Sequence, residues 1–383
     1  MNFKELHTKF KESKLLERYI ALNDIEPLLN GVNLKSQVSI IGKSVLNQPI
    51  YKCKIGNGAI KILMWSQMHG DESTTTKSLF DFFNFINSND DLALLFKTNF
   101  TLCFIPILNP DGATAYTREN ANGIDLNRDS QNQSQPESII LRSLYNEFKP
   151  DYCFNLHDQR SIYGAGDSGK PAFVSFLAPA YNISCDYNAS RLKAVSVINA
   201  VNIELQKEFP GCIGRFNDEF NFNCVGDTFQ FLNTPTILFE AGHYGSDYKR
   251  ETPRKAIFTG FLVALNHIYE NVIVTNVLNN YLRIPQNKVN FYDIICRNAN
   301  IYFDNSKKNI NFALQYTELL IDGKVKFQAY LVKIDDLENC FGHLEIESKN
   351  CEIILPNNRF VLEEPITIKI GTTLQFENGF KIE

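Results

Sequence analysis

Apolar and polar positions along the chain change their period once, near residue 280. Before that point, short apolar runs alternate with stretches in which apolar residues recur every three or four positions. Residues 3–29 keep such a stripe through Leu6, Phe10, Leu15, Leu16, Tyr19 and Ile20, which predicts one or two helices limited by Pro27. Residues 38–41 and 50–55 are β-rich runs around a turn at 46–49. Residues 60–65 form an unbroken apolar run, the pattern of a strand buried on both faces. Leu79, Phe80, Phe82, Phe83 and Ile86 then predict a helix over 75–87. Residues 100–108 read as the next buried strand, closed by Asn109-Pro110-Asp111-Gly112, a strong turn signal. A helix over 136–148 starts with proline in its first turn. Strands follow at 152–156, 172–177 and 236–239, and helices at 186–209 and 253–272. Residues 211–227 read as irregular.

Beyond residue 280 the period becomes two, at 300–303, 324–332, 344–346 and 365–376, with turn signals at Asp322-Gly323 and Asn378-Gly379. The expected organisation is an α/β unit over 1–280, with a mixed β-sheet flanked by helices and a helical N-terminal segment at 1–30. A smaller C-terminal β-rich domain is expected over 281–383. A chain of 383 residues with 44% hydrophobic content has enough apolar material for a core in each.

Charge and cysteine usage narrow the partners. A net charge of −5 points to neither nucleic acid nor an anionic membrane. No run reaches transmembrane length, and residues 1–20 are charged and amphipathic, unlike a secretory signal. The nine cysteines are scattered and contain no Cys-x-x-Cys pair, so they read as reduced thiols, and a cytoplasmic location is the expectation. The sequence carries no signal for oligomeric state.

The chemistry-bearing residues lie just after the apolar runs. His69 and Glu72 follow the run at 60–65. Arg118, Asn127 and Arg128 lie in the polar loop 113–135. His157 ends one strand and Glu240 another. Ligands of open α/β sheets bind at the carboxyl ends of strands. An imidazole and a carboxylate held together suit Zn²⁺, and catalytic zinc sites commonly use two His and one Glu with a position left for water. Taken singly, each residue has an ordinary structural reading. His69 and Glu72 fit a helix start, His157 a satisfied buried histidine, Glu240 a paired strand-end charge, and the arginines solvated loop positions. Their joint order is what singles them out. All of them stand at or before Glu240, so the tail is expected to supply no catalytic group.

This order resembles the zinc carboxypeptidases of the carboxypeptidase A and B family over about residues 38–272. The motifs are His69-x-x-Glu72, Asn109-Pro110-Asp111-Gly112, Arg118-x-Asn120-x-x-Gly123-x-Asp125-Leu126-Asn127-Arg128, Asn155-Leu156-His157 and Thr236-Ile237-Leu238-Phe239-Glu240. The resemblance implies a mixed sheet with helices on both faces and one Zn²⁺ per chain, held by His69, Glu72 and His157. It implies Glu240 as the general base acting on zinc-bound water, Arg118 as the oxyanion donor, and Asn127 with Arg128 as the clamp on a substrate's terminal carboxylate. The implied activity is hydrolysis of the C-terminal amide bond of a peptide or peptide-like substrate with a free carboxylate. A deacylase of N-acyl amino acids, resembling the aspartoacylase and succinylglutamate desuccinylase branch, is an alternative on the same scaffold, as is a non-catalytic peptide-binding protein. The Asn-Pro-Asp-Gly match and the long span from His157 to Glu240 favour the peptidase.

The sequence departs from the family pattern in one respect. Where the family often carries a mobile Tyr some twenty residues before the catalytic Glu, Asp218 stands, and no Tyr occurs between Tyr187 and Tyr244. Candidates for a specificity pocket are Arg215, Asp218, Glu219, Val225 and Asp227. Asp158, beside His157, is a candidate for orienting a ligand, and His243 and Tyr244 read as structural.

Overall fold

The computed structural model describes residues 3–30, 37–271, 276–303, 306–334, 336–349, 351–356, 360–372 and 374–382. The apolar run at 60–65 becomes β3 (Ile60–Trp65), a central strand of an eight-stranded mixed sheet of order β1-β2-β4-β3-β5-β9-β7-β8. The other strands are β1 (Val38–Lys43), β2 (Pro49–Ile55), β4 (Phe100–Ile105), β5 (Tyr152–Asp158), β7 (Val174–Leu177), β8 (Ile213–Arg215) and β9 (Thr236–Ala241). A separate short strand, β6 (Tyr163–Ala165), lies outside this sheet. Strands β4, β3, β5 and β9 run parallel, so their carboxyl ends share one edge of the molecule.

The period-two geometry of a strand explains the unbroken apolar runs. Ile62 and Met64 enter one core while Leu63 and Trp65 enter another, and Leu102 and Phe104 are divided from Cys103 and Ile105 in the same way. The first core is closed by α1 (Phe3–Phe10), α2 (Leu22–Leu29), α3 (Thr74–Ile86), α4 (Asp91–Asn99), α7 (Ala189–Glu208) and α9 (Glu251–Glu270). The second is closed by α6 (Pro136–Phe148) and α8 (Val225–Phe231). Helix α3 is buried nearly all round because α1 and α9 cover its outer side. Inside that contact, Arg254 of α9 holds Asp81 of α3 through Nε at 2.7 Å, and neither side chain reaches solvent.

Several expectations needed adjusting. Pro27 lies inside α2 and does not end it. Asn109-Pro110-Asp111-Gly112 is a helix start: Asn109 Oδ1 accepts from Gly112 N at 2.9 Å and caps α5 (Pro110–Ala115). The stretch expected to be irregular, 211–227, holds β8 and the start of α8, and α4 lies in a stretch for which no element was expected. The expected end of the last helix at residue 272 falls outside the described residues.

A second eight-stranded sheet, order β14-β11-β12-β13-β18-β17-β16-β15, occupies the tail. Its strands are β11 (Phe291–Phe303), β12 (Ser306–Ile321), β13 (Lys324–Ile334), β14 (Phe341–Glu347), β15 (Ile353–Ile354), β16 (Ile368–Ile370), β17 (Leu374–Glu377) and β18 (Phe380–Lys381). It has its own core around Ile294, Phe312, Leu314, Leu331 and Phe376. The longest strand, β12, has no counterpart among the expected runs. It opens on Lys307, Lys308 and Asn309 and ends on Leu319-Leu320-Ile321, which blurs the alternation. Between the two sheets in sequence, β10 (Asn287–Val289) pairs antiparallel with β6 as a separate two-stranded sheet. Helix α10 (Val277–Leu282) precedes β10 and packs on α7. Among the described residues, no helix is long and apolar enough to cross a membrane.

Candidate active site

The four parallel strands deliver the chemistry to one place. The chain leaves β3 through a tight turn that carries His69 and Glu72 into the start of α3. Gly70 is required in this turn, because a Cβ there would lie 1.9 Å from the carbonyl carbon of Gly112 in α5. His157 lies near the end of β5. Glu240 stands beside it on β9, where the two residues are register partners in parallel strands.

His69, Glu72 and His157 are buried, and one ligand atom from each lies within 4.8 Å of the others. Glu72 Oε1 is 2.7 Å from His69 Nδ1, and Oε2 is 2.8 Å from His157 Nδ1. The two Nδ1 atoms are 3.1 Å apart. Two imidazoles turned Nδ1 to Nδ1 beside one carboxylate present three electron-pair donors to a common point, the donor set of a catalytic zinc site. This orientation places the ring protons on Nε2. His69 Nε2 lies 3.0 Å from Asp125 Oδ1, an outer carboxylate that orients the ring, while His157 Nε2 is buried with no partner among the described residues. The residues present therefore fit a zinc ion.

Asp125, and not Asp158, is the carboxylate on a ligand ring. Asp158 accepts from Thr74 N at 2.9 Å and Thr75 N at 3.3 Å, at the first turn of α3, and faces Arg250 at 3.5 Å. Its backbone N–H still serves the site, donating to Glu72 Oε2 at 3.0 Å. Arg118 donates through Nε and Nη2 to Asp125 Oδ2, both at 3.1 Å, and through Nη1 to Glu72 Oε1 at 3.3 Å.

The same groups are electrostatically linked to one another. Burial presses the Glu72 carboxyl up, but His69 and His157 outweigh it and hold it well below the usual carboxylate range. Burial presses His69 down, but Glu72 and Asp125 raise it to about 9, while burial keeps His157 below its ordinary value. Burial first, and the Glu72 charge second, push Glu240 well above the ordinary value. Burial and neighbouring charges, with no hydrogen bond among the described residues, set the state of the Glu240 carboxylate. A cation held by His69, Glu72 and His157 would relieve the repulsion between the two carboxylates and favour an ionised Glu240.

The triad opens into a cleft of about 710 Å³. Asn127 and Arg128 line it, brought there by a 3-10 turn (Leu126–Arg128) capped by Asp125. Asn127 Oδ1 accepts from Val225 N at 2.9 Å. Arg128 is exposed, with Nη1 donating to the Asn127 carbonyl at 2.7 Å. None of the expected pocket residues lines this cleft. Arg215 lies over the Tyr281 ring, and Asp218 is held by Arg191 at 2.6 Å. Val225 packs with Phe229 in the second core, and Asp227 is buried in α8, its carboxyl pushed up to about 7 by burial. Glu219 is not part of the lining either. The cleft takes Phe216, Cys224 and Tyr163 from this side. Tyr163 supplies a phenol near Glu240 from β6, far from the position where a family tyrosine was sought.

The sequence reading also missed the opposite wall. Gln315, Tyr316, Thr317 and Glu318 of β12 line the cleft, together with Arg18, Tyr116 and Arg250. Glu318 ties the three parts together: it accepts from Arg18 Nη2 at 2.9 Å and from the Tyr116 hydroxyl. Arg18 follows α1 and Tyr116 caps α5, so no local pattern relates either of them to β12.

Comparisons with known proteins agree with the resemblance. Residues 33–157 match the family model for zinc carboxypeptidases, a span that contains His69, Glu72, Arg118, Asn127, Arg128 and His157 and stops short of Glu240. Carboxypeptidase SOL1 of Arabidopsis thaliana is 32% identical over 138 residues, covering 32% of this chain and 28% of that protein. The chain thus spans little more than a quarter of the curated relative it matches. Among solved structures, a metallo-carboxypeptidase from Burkholderia cenocepacia superposes with a TM-score of 0.52 at 17% identity, over 65% of this chain and 69% of that one. At that identity the superposition shows a shared fold.

Proposed function

From the zinc carboxypeptidase match over residues 33–157, we propose that this chain is a zinc-dependent carboxypeptidase, hydrolysing the C-terminal amide bond of a peptide or peptide-like substrate. The observation that carries the reading is the pairing of His157 with Glu240 across β5 and β9, because it adds a carboxylate from beyond the matched span to the His-Glu-His cluster. Zinc at His69, Glu72 and His157 would polarise the scissile carbonyl and acidify the attacking water. Glu240 would take the proton from the attacking water and hand it to the leaving amine. Its carboxylate suits the task because it accepts no hydrogen bond among the described residues. Arg118 aims a guanidinium from the Asp125 side of the site, where charge develops on the carbonyl oxygen. Arg128, with Asn127 beside it, receives the substrate's terminal carboxylate, for which a guanidinium offers paired donors that an ammonium lacks.

The discriminating experiment offers one peptide as free acid and as C-terminal amide. The expected result is cleavage of the acid with poor turnover of the amide. Equal rates on both would overturn the exopeptidase reading.

A further inference from the structure

The wall supplied by β12 has a property its side chains do not reveal. Strand β12 pairs with β11 only as far as Leu314, opposite Ile294, but pairs with β13 to its end, Ile321 opposite Lys324. Past Leu314 one edge of β12 therefore has no strand beside it among the described residues. The direction of that edge follows from period two. Tyr316 N donates to Asp293 Oδ2 at 2.7 Å, on the side that β11 has left. The register with β13 is regular from Leu314 to Ile321, so the N–H and C=O of Glu318 face the same way as those of Tyr316. Residues 315–318 line the cleft that holds His69, Glu72, His157 and Glu240.

The surroundings point to a ligand. Gln315 is 8% exposed, and its Nε2 donates to Ser161 at 2.8 Å and to Asp293, while its Oε1 is buried without a partner among the described residues. The Nε atoms of Arg18 and Arg250, both in the cleft lining, are likewise buried without partners among the described residues. Thr317 is exposed between Gln315 and Glu318. The strand is held firmly, since Glu318 is anchored to Arg18 and Tyr116.

We infer that the 316–318 segment of β12, through the Tyr316 carbonyl and the Glu318 N–H and carbonyl (the Tyr316 N–H being held by Asp293), binds the part of the substrate on the N-terminal side of the bond cut, taken up as an extended strand along the edge that β11 leaves unpaired. The direction rests on the proposed reading: with the terminal carboxylate at Asn127–Arg128, the upstream residues lie along the remaining wall. Main-chain pairing of this kind tolerates many side chains at the substrate and requires a peptide N–H at alternate positions. The C-terminal sheet is then a working part of the cleft.

The test uses the full-length, zinc-loaded Glu240→Gln protein, which should hold substrate without cutting it. Calorimetry compares N-acetylated pentaalanine with N-acetylated dialanine, both as free acids. The pentapeptide is expected to bind at least tenfold tighter, and Thr317→Trp in the same background to reduce that ratio to near one. Zinc content and the melting curve check that the variant is folded. On the Thr317 parent, N-methylation of a single upstream residue is expected to cost at least fivefold, with the adjacent positions tolerant. No gain from length, a gain that survives Thr317→Trp, or indifference to N-methylation at every position overturns the inference. If acid and amide forms bind alike while the length gain persists, the carboxylate reading fails and the wall stands.

Discussion

His157 and Glu240 are register partners on adjacent parallel strands, so their side chains leave the sheet on the same face and at the same height. The pairing ties a residue of the His-Glu-His cluster to a carboxylate 83 positions later in the chain. It also makes the position of Glu240 a property of the sheet, independent of any loop.

Metal binding is the first expected consequence. The protein should hold about one zinc, and His69→Ala or His157→Ala should each lose it, because two remaining donors do not make a stable site. Elemental analysis of protein purified without chelator checks this. Parental zinc content in both variants would refute the assignment.

Glu240→Gln keeps the side-chain volume and removes the proton acceptor. Turnover should fall by about 10²–10⁴, the usual contribution of general acid–base catalysis, with zinc content unchanged. Steady-state kinetics beside metal analysis decides it, and a variant with near-parental kcat would assign the base elsewhere.

Arg128→Ala should lower kcat/KM for free-acid peptides by at least about tenfold, since a charge-assisted hydrogen bond contributes roughly 1.5–3 kcal/mol and 1.4 kcal/mol is a factor of ten. Its exposure argues that the fold survives the change. The measurement is kcat/KM on one acid–amide pair for parent and variant, and the parent's preference for the acid should shrink in the variant.

Stability should depend on pH through His343. Its Nε2 lies 2.8 Å from the Ser161 carbonyl and its ring packs on His243 and Phe291. Burial, aided by Arg250, lowers its pKa from 6.5 to about 4 against that hydrogen bond. Between those values the unfolded chain binds a proton that the folded chain does not, so stability falls as pH drops from 6.5 toward 4. His343→Gln should reduce the slope of the melting temperature across that window, with His243, also held below its ordinary value by burial, keeping part of it, and an unchanged slope would assign the acid sensitivity to other groups.

Within the first unit, much of the architecture was legible because each strand and helix there writes its own period. Residues 60–65 and 136–148 were read with the bounds that the structure gives. The convergence of His69, Glu72 and His157 was legible as well, since each stands at or just past the carboxyl end of a buried parallel strand and such ends share one edge. Asp125 stood in a quoted motif, yet its role on His69 is visible only once a loop residue 56 positions away is brought within 3.0 Å.

What the amino-acid sequence determined by itself is the local part: element type, the two-sided burial of the central strands and the order of the site residues. Period and composition act over a few residues, and so they survive reading in one dimension. The tertiary structure alone decided which far segments close the cleft. Arg18, Tyr116 and Glu318 meet across separations of 202 and 300 residues, and Gln315 and Thr317 arrive on a strand whose alternation is blurred at both ends. The physical reason is that such contacts come from segments far apart in the chain meeting across the cleft, Arg18 after α1 and Tyr116 at the end of α5 against Glu318 of β12, and no local spacing records that meeting.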